Sequence, residues 1–189
     1  MQKVMLEEIA EIISGLSYRR YLNDDGDKFK IIVQRSFSGD GKLSDFEEIS
    51  LKHDIKERYF TQENDILMKM THPYEVVCVK DKDLLISDRI AIIRLKNGYD
   101  PEFITHLLAN AHIQKQLHIM GGSGKMPHTS LKEIKQLMLT VPDFKTQVKY
   151  GELLNTIDEK IMEDLRQVDY DRHLKEAILN DLWGEDDDC

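Results

Sequence analysis

Hydrophobic and polar positions follow two different rhythms along this chain. From about Phe144 to Trp183 there is no Pro and a single Gly, Gly151, and strong helix formers dominate. Apolar residues recur at Leu154, Ile157, Ile161, Leu165 and Val168, then at Leu174, Ile178 and Leu182. Those intervals of three, four and six residues lie on one face of a long helix, with charges on the other faces. The stripe is interrupted around Asp169–Arg172, where a kink, a stutter or a break between two helices is expected. A helix of roughly 37 residues spans about 55 Å. A domain of about 145 residues cannot cover such a stripe along its whole length. Part of it must therefore meet another helix, from its own chain or from a partner.

Residues 1–143 read as mixed α and β. Val4–Ile13 carries weak signals of both kinds and stops at Ser14-Gly15. Phe29–Gln34 is a strand candidate followed by the turn-rich stretch Ser36–Lys42. Asp65–Met70, Glu75–Val79 and Arg89–Leu95 are further strands, rich in Val and Ile. Asp100-Pro101 predicts a helix start, an acidic N-cap followed by Pro at the first helical position. That helix should turn Phe103, Ile104, Leu107 and Leu108 inward, with a second helical piece running to about Ile119. Gly121-Gly-Ser-Gly124 breaks it, Ser130-Leu-Lys-Glu133 fits a capping box, and Leu137–Val141 is a last strand before Pro142.

Length and composition narrow the class. At 189 residues, with 41% hydrophobic and 32% charged positions, the chain has the make-up of one ordinary globular domain plus an appended element. Apolar runs such as Ala91-Ile92-Ile93 fall far short of the roughly 20 residues a membrane span needs. No export signal opens the chain, and Cys78 and Cys189 make no disulfide framework, so a cytoplasmic, reduced setting is expected. The net charge of −9 is uneven: residues 146–189 hold 5 basic and 13 acidic groups, leaving residues 1–145 at about −1. A local basic face on the first three quarters is thus compatible with composition but not demanded by it.

Catalytic patterns fail on inspection. Gly121-Gly-Ser-Gly-Lys125 lacks the upstream Gly and the following Ser or Thr of a phosphate loop, and it follows a helix rather than a strand. Pro142-Asp143 with Asp158-Glu159-Lys160 resembles a nuclease metal site on paper, but Asp158 and Lys160 belong to the long helix, where residues two apart do not face each other. His106, His112 and His118 are spaced by six, not by the four of a helical zinc pair. No nucleophile elbow occurs, and Cys78 reads as a small core residue. What remains is a set of loops mixing cations with hydrogen-bonding groups: Ser17–Arg20, Lys28 and Lys30, Arg35–Ser38 with Lys42, Lys69–Tyr74, and Lys125–His128. Such loops suit phosphate contacts and base-edge readout, and they suit a solvated surface equally well.

Taken together, these segments resemble one half of the specificity subunit of type I restriction–modification systems. Leu6-Glu-Glu-Ile-Ala-Glu-Ile-Ile-Ser-Gly15 resembles the entry motif of that family. Asp65-Ile-Leu-Met resembles its Gly-Asp-Ile-Leu strand, with Asn64 in place of the usual Gly. Ser87-Asp-Arg-Ile-Ala91 and Pro101-Glu-Phe-Ile-Thr-His-Leu-Leu108 resemble the strand and helix that follow. Met126-Pro-His-Thr-Ser-Leu-Lys-Glu-Ile-Lys135 and Val141-Pro-Asp-Phe-Lys-Thr-Gln147 resemble its later elements, and Leu154–Ile161 and Leu174–Leu182 its conserved helix. Each piece is weakly specific, and their order along the chain carries the resemblance.

The resemblance implies an α+β architecture: a mixed α/β target-recognition domain over residues 1–143, a spacer helix over 144–183 that pairs as an antiparallel coiled coil, and an acidic tail over 184–189. It implies no catalysis and no cofactor in this chain. The partners it implies are double-stranded DNA, a methylating modification subunit and a restriction subunit. A complete specificity subunit has two recognition domains and two helices, so the expected state is a homodimer reading a bipartite site. The seam falls to Leu154, Ile157, Ile161, Leu165, Val168, Leu174, Ile178 and Leu182. The residues expected at DNA are Arg19, Arg20, Lys30, Arg35, Lys69, His72 and Tyr74. The alternative is a non-catalytic oligomeric adaptor, or a silent half-subunit, that binds no DNA by itself; a third reading is a degenerate nuclease.

Overall fold

The computed structural model describes residues 1–52, 54–121 and 128–183. His53, residues 122–127, which include most of the glycine-rich segment, and the acidic tail with Cys189 lie outside the described residues. The strands are β1 (Gln2–Met5), β2 (Ala10–Ser14), β3 (Leu22–Ile32), β4 (Glu47–Leu51), β5 (Ile66–Lys69), β6 (Val76–Cys78), β7 (Leu85–Ile86), β8 (Ile90–Leu95) and β9 (Met138–Val141). The helices are α1 (Leu6–Ile9), α2 (Pro101–Ala109), α3 (Ala111–Met120), α4 (Leu131–Lys135) and α5 (Phe144–Trp183). They divide into two compact units, Met1–Glu152 and Leu153–Cys189. No helix among the described residues is long and apolar enough to cross a membrane.

Three sheets organise the first unit: β1–β9, then β2–β8–β5–β6, then β4–β3–β7. The four-stranded sheet is covered on both faces, which is why its central strands β5 and β8 read as apolar runs rather than alternating ones. Ile66, Met68, Ala91 and Ile93 face one core, shared with Phe103, Ile104 and Leu108 of α2, Ile113 and Leu117 of α3 and Ile134 of α4. Leu67, Val77, Ile90 and Ile92 face a second core with Ile32, Phe37 and Ile86. A third cluster, Leu16, Ile31, Leu51 and Leu85, lies under the three-stranded sheet with Phe29 and Phe60 against it, their rings 5.7 Å apart.

Local chemistry accounts for most boundaries. Asp100 caps α2 by accepting from the Phe103 N–H, with Pro101 at the first helical position as expected. Ser130 and Glu133 form the expected capping box of α4. The ambiguous Val4–Ile13 segment resolves into strand, one helical turn and strand. Two strands carry no legible signal: β4 is mostly charged or polar, and β7 is two residues long. β3 also begins earlier than Phe29, at Leu22, through an acidic stretch in which both Leu22 and Asp27 pair with Leu51. Gly26 sits at that bulge, where a Cβ would lie 2.0 Å from the Leu51 carbonyl oxygen.

α5 is one continuous helix of 40 residues, and Asp169–Arg172 does not end it. Asp143 starts it, accepting from the Thr146 N–H at 3.1 Å and from its hydroxyl at 2.8 Å. The first turns are fastened to the domain. Gln147 is buried, donates to the Pro142 carbonyl oxygen at 2.9 Å and accepts from the Asp100 N–H at 3.0 Å. Gly151 is buried as well, and a Cβ there would lie 2.6 Å from Asp100 Oδ1. The first compact unit therefore includes the start of the helix, through Glu152.

Candidate nucleic-acid interface

Each residue expected at DNA has a definite setting. Arg19 and Arg20 are exposed on a 3-10 turn, Tyr18–Arg20, between β2 and β3. Lys30 is exposed on β3, where it pairs in register with Glu48. Arg35 lies on a second 3-10 turn, Gln34–Ser36, and its guanidinium bridges Asp45 at 3.0 Å and Glu47 at 3.1 Å. Lys69 ends β5, only 13% exposed, and its ammonium lies 3.1 Å from Glu75. His72 is exposed, with its ring edge-on to Tyr74 at 5.9 Å and to His118 at 5.4 Å.

Tyr74 requires a correction. Its side chain is 1% exposed, belongs to the core with Ile113 and Leu117, and does not line the cleft that gathers Arg19 and Arg35. Burial also pushes its phenol pKa up, which keeps it a neutral core group. The sequence showed an aromatic beside cations in a loop; the fold turns that aromatic inward.

The structure brings Arg19 and Arg35 to one cleft of about 460 Å³, together with Arg89, Ser87 and Gln34, which are not among the residues expected at DNA. Arg20, Lys30, Lys69 and His72 do not line it. The one sequence signal for Ser87 and Arg89 is the polar triplet Ser87-Asp88-Arg89 standing before an apolar run. Arg19 and Arg89 form no ion pair with any described residue. Ser87 is 2% exposed and its Oγ has no hydrogen-bond partner among the described residues. A buried hydroxyl left unpaired costs about 1–3 kcal/mol.

The Tyr74 hydroxyl is likewise buried without a partner among the described residues, whereas the charged pair of the interior serves a structural end. Asp65 is buried against Arg94, with Oδ1 3.0 Å from Nε, and Arg94 also donates to the Phe60 carbonyl oxygen at 2.7 Å. Burial pushes the Asp65 carboxyl above its ordinary pKa, with the Arg94 hydrogen bonds pulling the other way. Burial likewise pushes the Cys78 thiol up to about 12, so it is no nucleophile near neutral pH. Asp143 caps α5 while Asp158 lies fifteen residues further on, about 22 Å along the axis. Those two carboxylates cannot share a metal ion. Among the described residues no group of three or more His, Cys, Asp or Glu could hold one.

Asn64 stands where the resembling motif has Gly, at φ +69°. That left-handed conformation is the reason for a Gly there, and Asn tolerates it better than most residues. Gln147, the last residue of the Pro-x-x-x-x-Gln element, spans from Pro142 to Asp100 as described above.

A family model described as the type I restriction modification DNA specificity domain matches residues 1–168. Among solved structures, the HsdS subunit from Thermoanaerobacter tengcongensis superposes with a TM-score of 0.71 at 16% identity, over 94% of this chain and 46% of that one. A structure described as showing complex assembly and conformational transition of the type I R-M system gives 0.69 at 17% identity, over 93% and 43%. The type I restriction–modification S subunit from M. genitalium gives 0.60 at 15% identity, over 98% and 46%. The chain thus spans less than half the length of the solved chains it matches. No curated protein matches it.

Proposed function

This chain belongs to the family of type I restriction modification DNA specificity domains, and on that premise we propose that it pairs with a second copy to read a bipartite DNA site. In this reading it directs a modification and a restriction subunit to that site and performs neither reaction itself. The observation that carries it is α5: one unbroken helix whose seam residues Ile157, Ile161, Leu165, Val168, Leu174, Ile178 and Leu182 are all exposed in the single chain. Leu154 is half-buried. A row of large aliphatic side chains facing water marks a protein–protein contact, and a second α5 offers the complementary row. A helix of 40 residues is about 60 Å long, the length of roughly 18 base pairs. Two identical reading domains held by an antiparallel pair are related by a two-fold axis, so the site they read is palindromic. The acidic faces of α5 suit a protein partner better than phosphate.

Two measurements test this. Sedimentation at micromolar concentration should give a dimer, and a strictly monomeric species would overturn the pairing. Binding to duplex DNA, measured with the modification subunit present, should weaken steeply with salt. No such binding would favour the adaptor reading instead.

A further inference from the structure

The cleft between the Tyr18–Arg20 turn, the Gln34–Ser36 turn and Ser87–Arg89 is lined by three guanidinium groups, Arg19, Arg35 and Arg89, and by the carboxylates Glu47 and Asp88. Its floor is held by main-chain hydrogen bonds: Leu16 N–H to Ile86 O at 2.7 Å, Ser87 N–H to Ile32 O at 3.0 Å, and Asp88 N–H to Leu16 O at 3.0 Å. Gly15 lets these segments close up, since a Cβ there would lie 2.3 Å from the carbonyl oxygens of Ile86 and Ser87. Arg35 is fixed by Asp45 and Glu47, while Arg19 and Arg89 are unpaired among the described residues. At the same place Ser87 carries a buried hydroxyl with no partner.

We propose that this cleft, formed by Arg19, Arg35, Arg89 and the unpartnered Ser87, receives one backbone phosphate of duplex DNA. The assignment rests on the DNA-reading role above and adds the residues and the group they hold. Shape argues for phosphate over a base. Base edges lie at the floor of a groove about 8.5 Å deep and are reached by elements that protrude, whereas a phosphate projects from the duplex and fits a recess. Chemistry agrees: guanidinium forks and a hydroxyl all donate, and phosphate oxygens only accept. Arg35 is already engaged by Asp45 and Glu47, so the charge offered to an anion comes from Arg19 and Arg89, both unpaired among the described residues. Such a contact fixes register on the duplex without reading sequence.

The test uses the full chain in two arms. In the first, NMR of the free protein is followed during titration with dimethyl phosphate, a diester of one charge, and separately with inorganic phosphate. The diester should shift the Ser87 and Arg89 amides and the Arg19 and Arg89 side-chain N–H signals, and Ser87→Ala should weaken the effect while keeping the dispersed spectrum of a folded chain. In the second arm, duplex binding with the modification subunit is measured across a salt series. Arg89→Gln should weaken binding about tenfold at 0.1 M salt and lower the slope of log K against log salt by about 1, equally for specific and unrelated sequences. Lys115→Gln, removing a charge from α3, should leave that slope within error. Wild-type binding with no change of slope in Arg89→Gln overturns the pocket and leaves the DNA-reading role standing. No duplex binding by the wild type overturns both. Inorganic phosphate binding at the cleft more tightly than the diester overturns the assignment to DNA in favour of a free phosphorylated ligand.

Discussion

Ile92 on β8 and Ile161 on α5 carry the same side chain, yet the first is fully buried and the second is 49% exposed. The contrast holds across the two units. In the first, strands covered on both faces bury nearly every aliphatic residue of β5 and β8 between two cores. In the second, an entire row of aliphatic residues on α5 faces water in the single chain. The hydrophobic effect scales with area removed from water wherever the cover comes from. The first unit finds that cover among its own residues; the exposed row of the second finds none among the described residues. Damage to the first should therefore appear as lost folding stability, and damage to the second as lost association.

The sharpest way to break the contrast is to charge the seam. Ile161→Asp with Leu165→Asp should abolish dimer formation in sedimentation velocity and leave the spectrum of the folded domain unchanged. Each lost side chain forfeits about 1.5–3 kcal/mol of burial, and both copies lose two. A variant that stays dimeric would place the contact elsewhere.

In the first unit the largest expected loss is at the Asp65–Arg94 pair. Arg94→Met should cost about 3–5 kcal/mol near neutral pH, read by denaturant unfolding, because it strands a buried carboxylate. The sign with pH follows from the direction of the Asp65 shift. Burial raises its folded pKa above the unfolded value, so the folded state binds the extra proton, and stability from this group falls as pH rises through the folded pKa. The loss in Arg94→Met should accordingly shrink in mild acid; a deficit that grows there would refute the account. Leu67→Ala, at a side chain with no exposure, should cost about 2–5 kcal/mol and leave α5 able to pair. Smallest is Ser130→Ala, which removes the cap of α4 and should cost about 0.5–2 kcal/mol.

Legibility in the sequence followed the range of the forces involved. Asp100-Pro101 and Ser130–Glu133 were readable because a cap is completed within three residues, and the hydrogen bonds are where the spacing put them. α5 was readable because its stripe recurs from Leu154 to Leu182. β4 and β7 were not, since their pairing is supplied by β3 from a distance: Glu47 and Glu48 sit opposite Ile31 and Lys30, and Ile86 opposite Ile32. The site divides in the same way. Arg19 and Arg35 could be picked as loop cations, but nothing local joins them to Arg89 or Ser87, more than fifty residues downstream of Arg35.

The amino-acid order alone determined the long amphipathic helix, the caps and the apolar strands, because periodicity and capping depend on neighbours within a few positions. Only the tertiary structure decided that Tyr74 turns into the core, that Gln147 ties the root of α5 to Asp100, and that Arg19, Arg35, Ser87 and Arg89 share one recess. Those outcomes depend on which distant segments are pressed together, and the free energy that selects them is a sum over contacts that no short stretch of sequence contains.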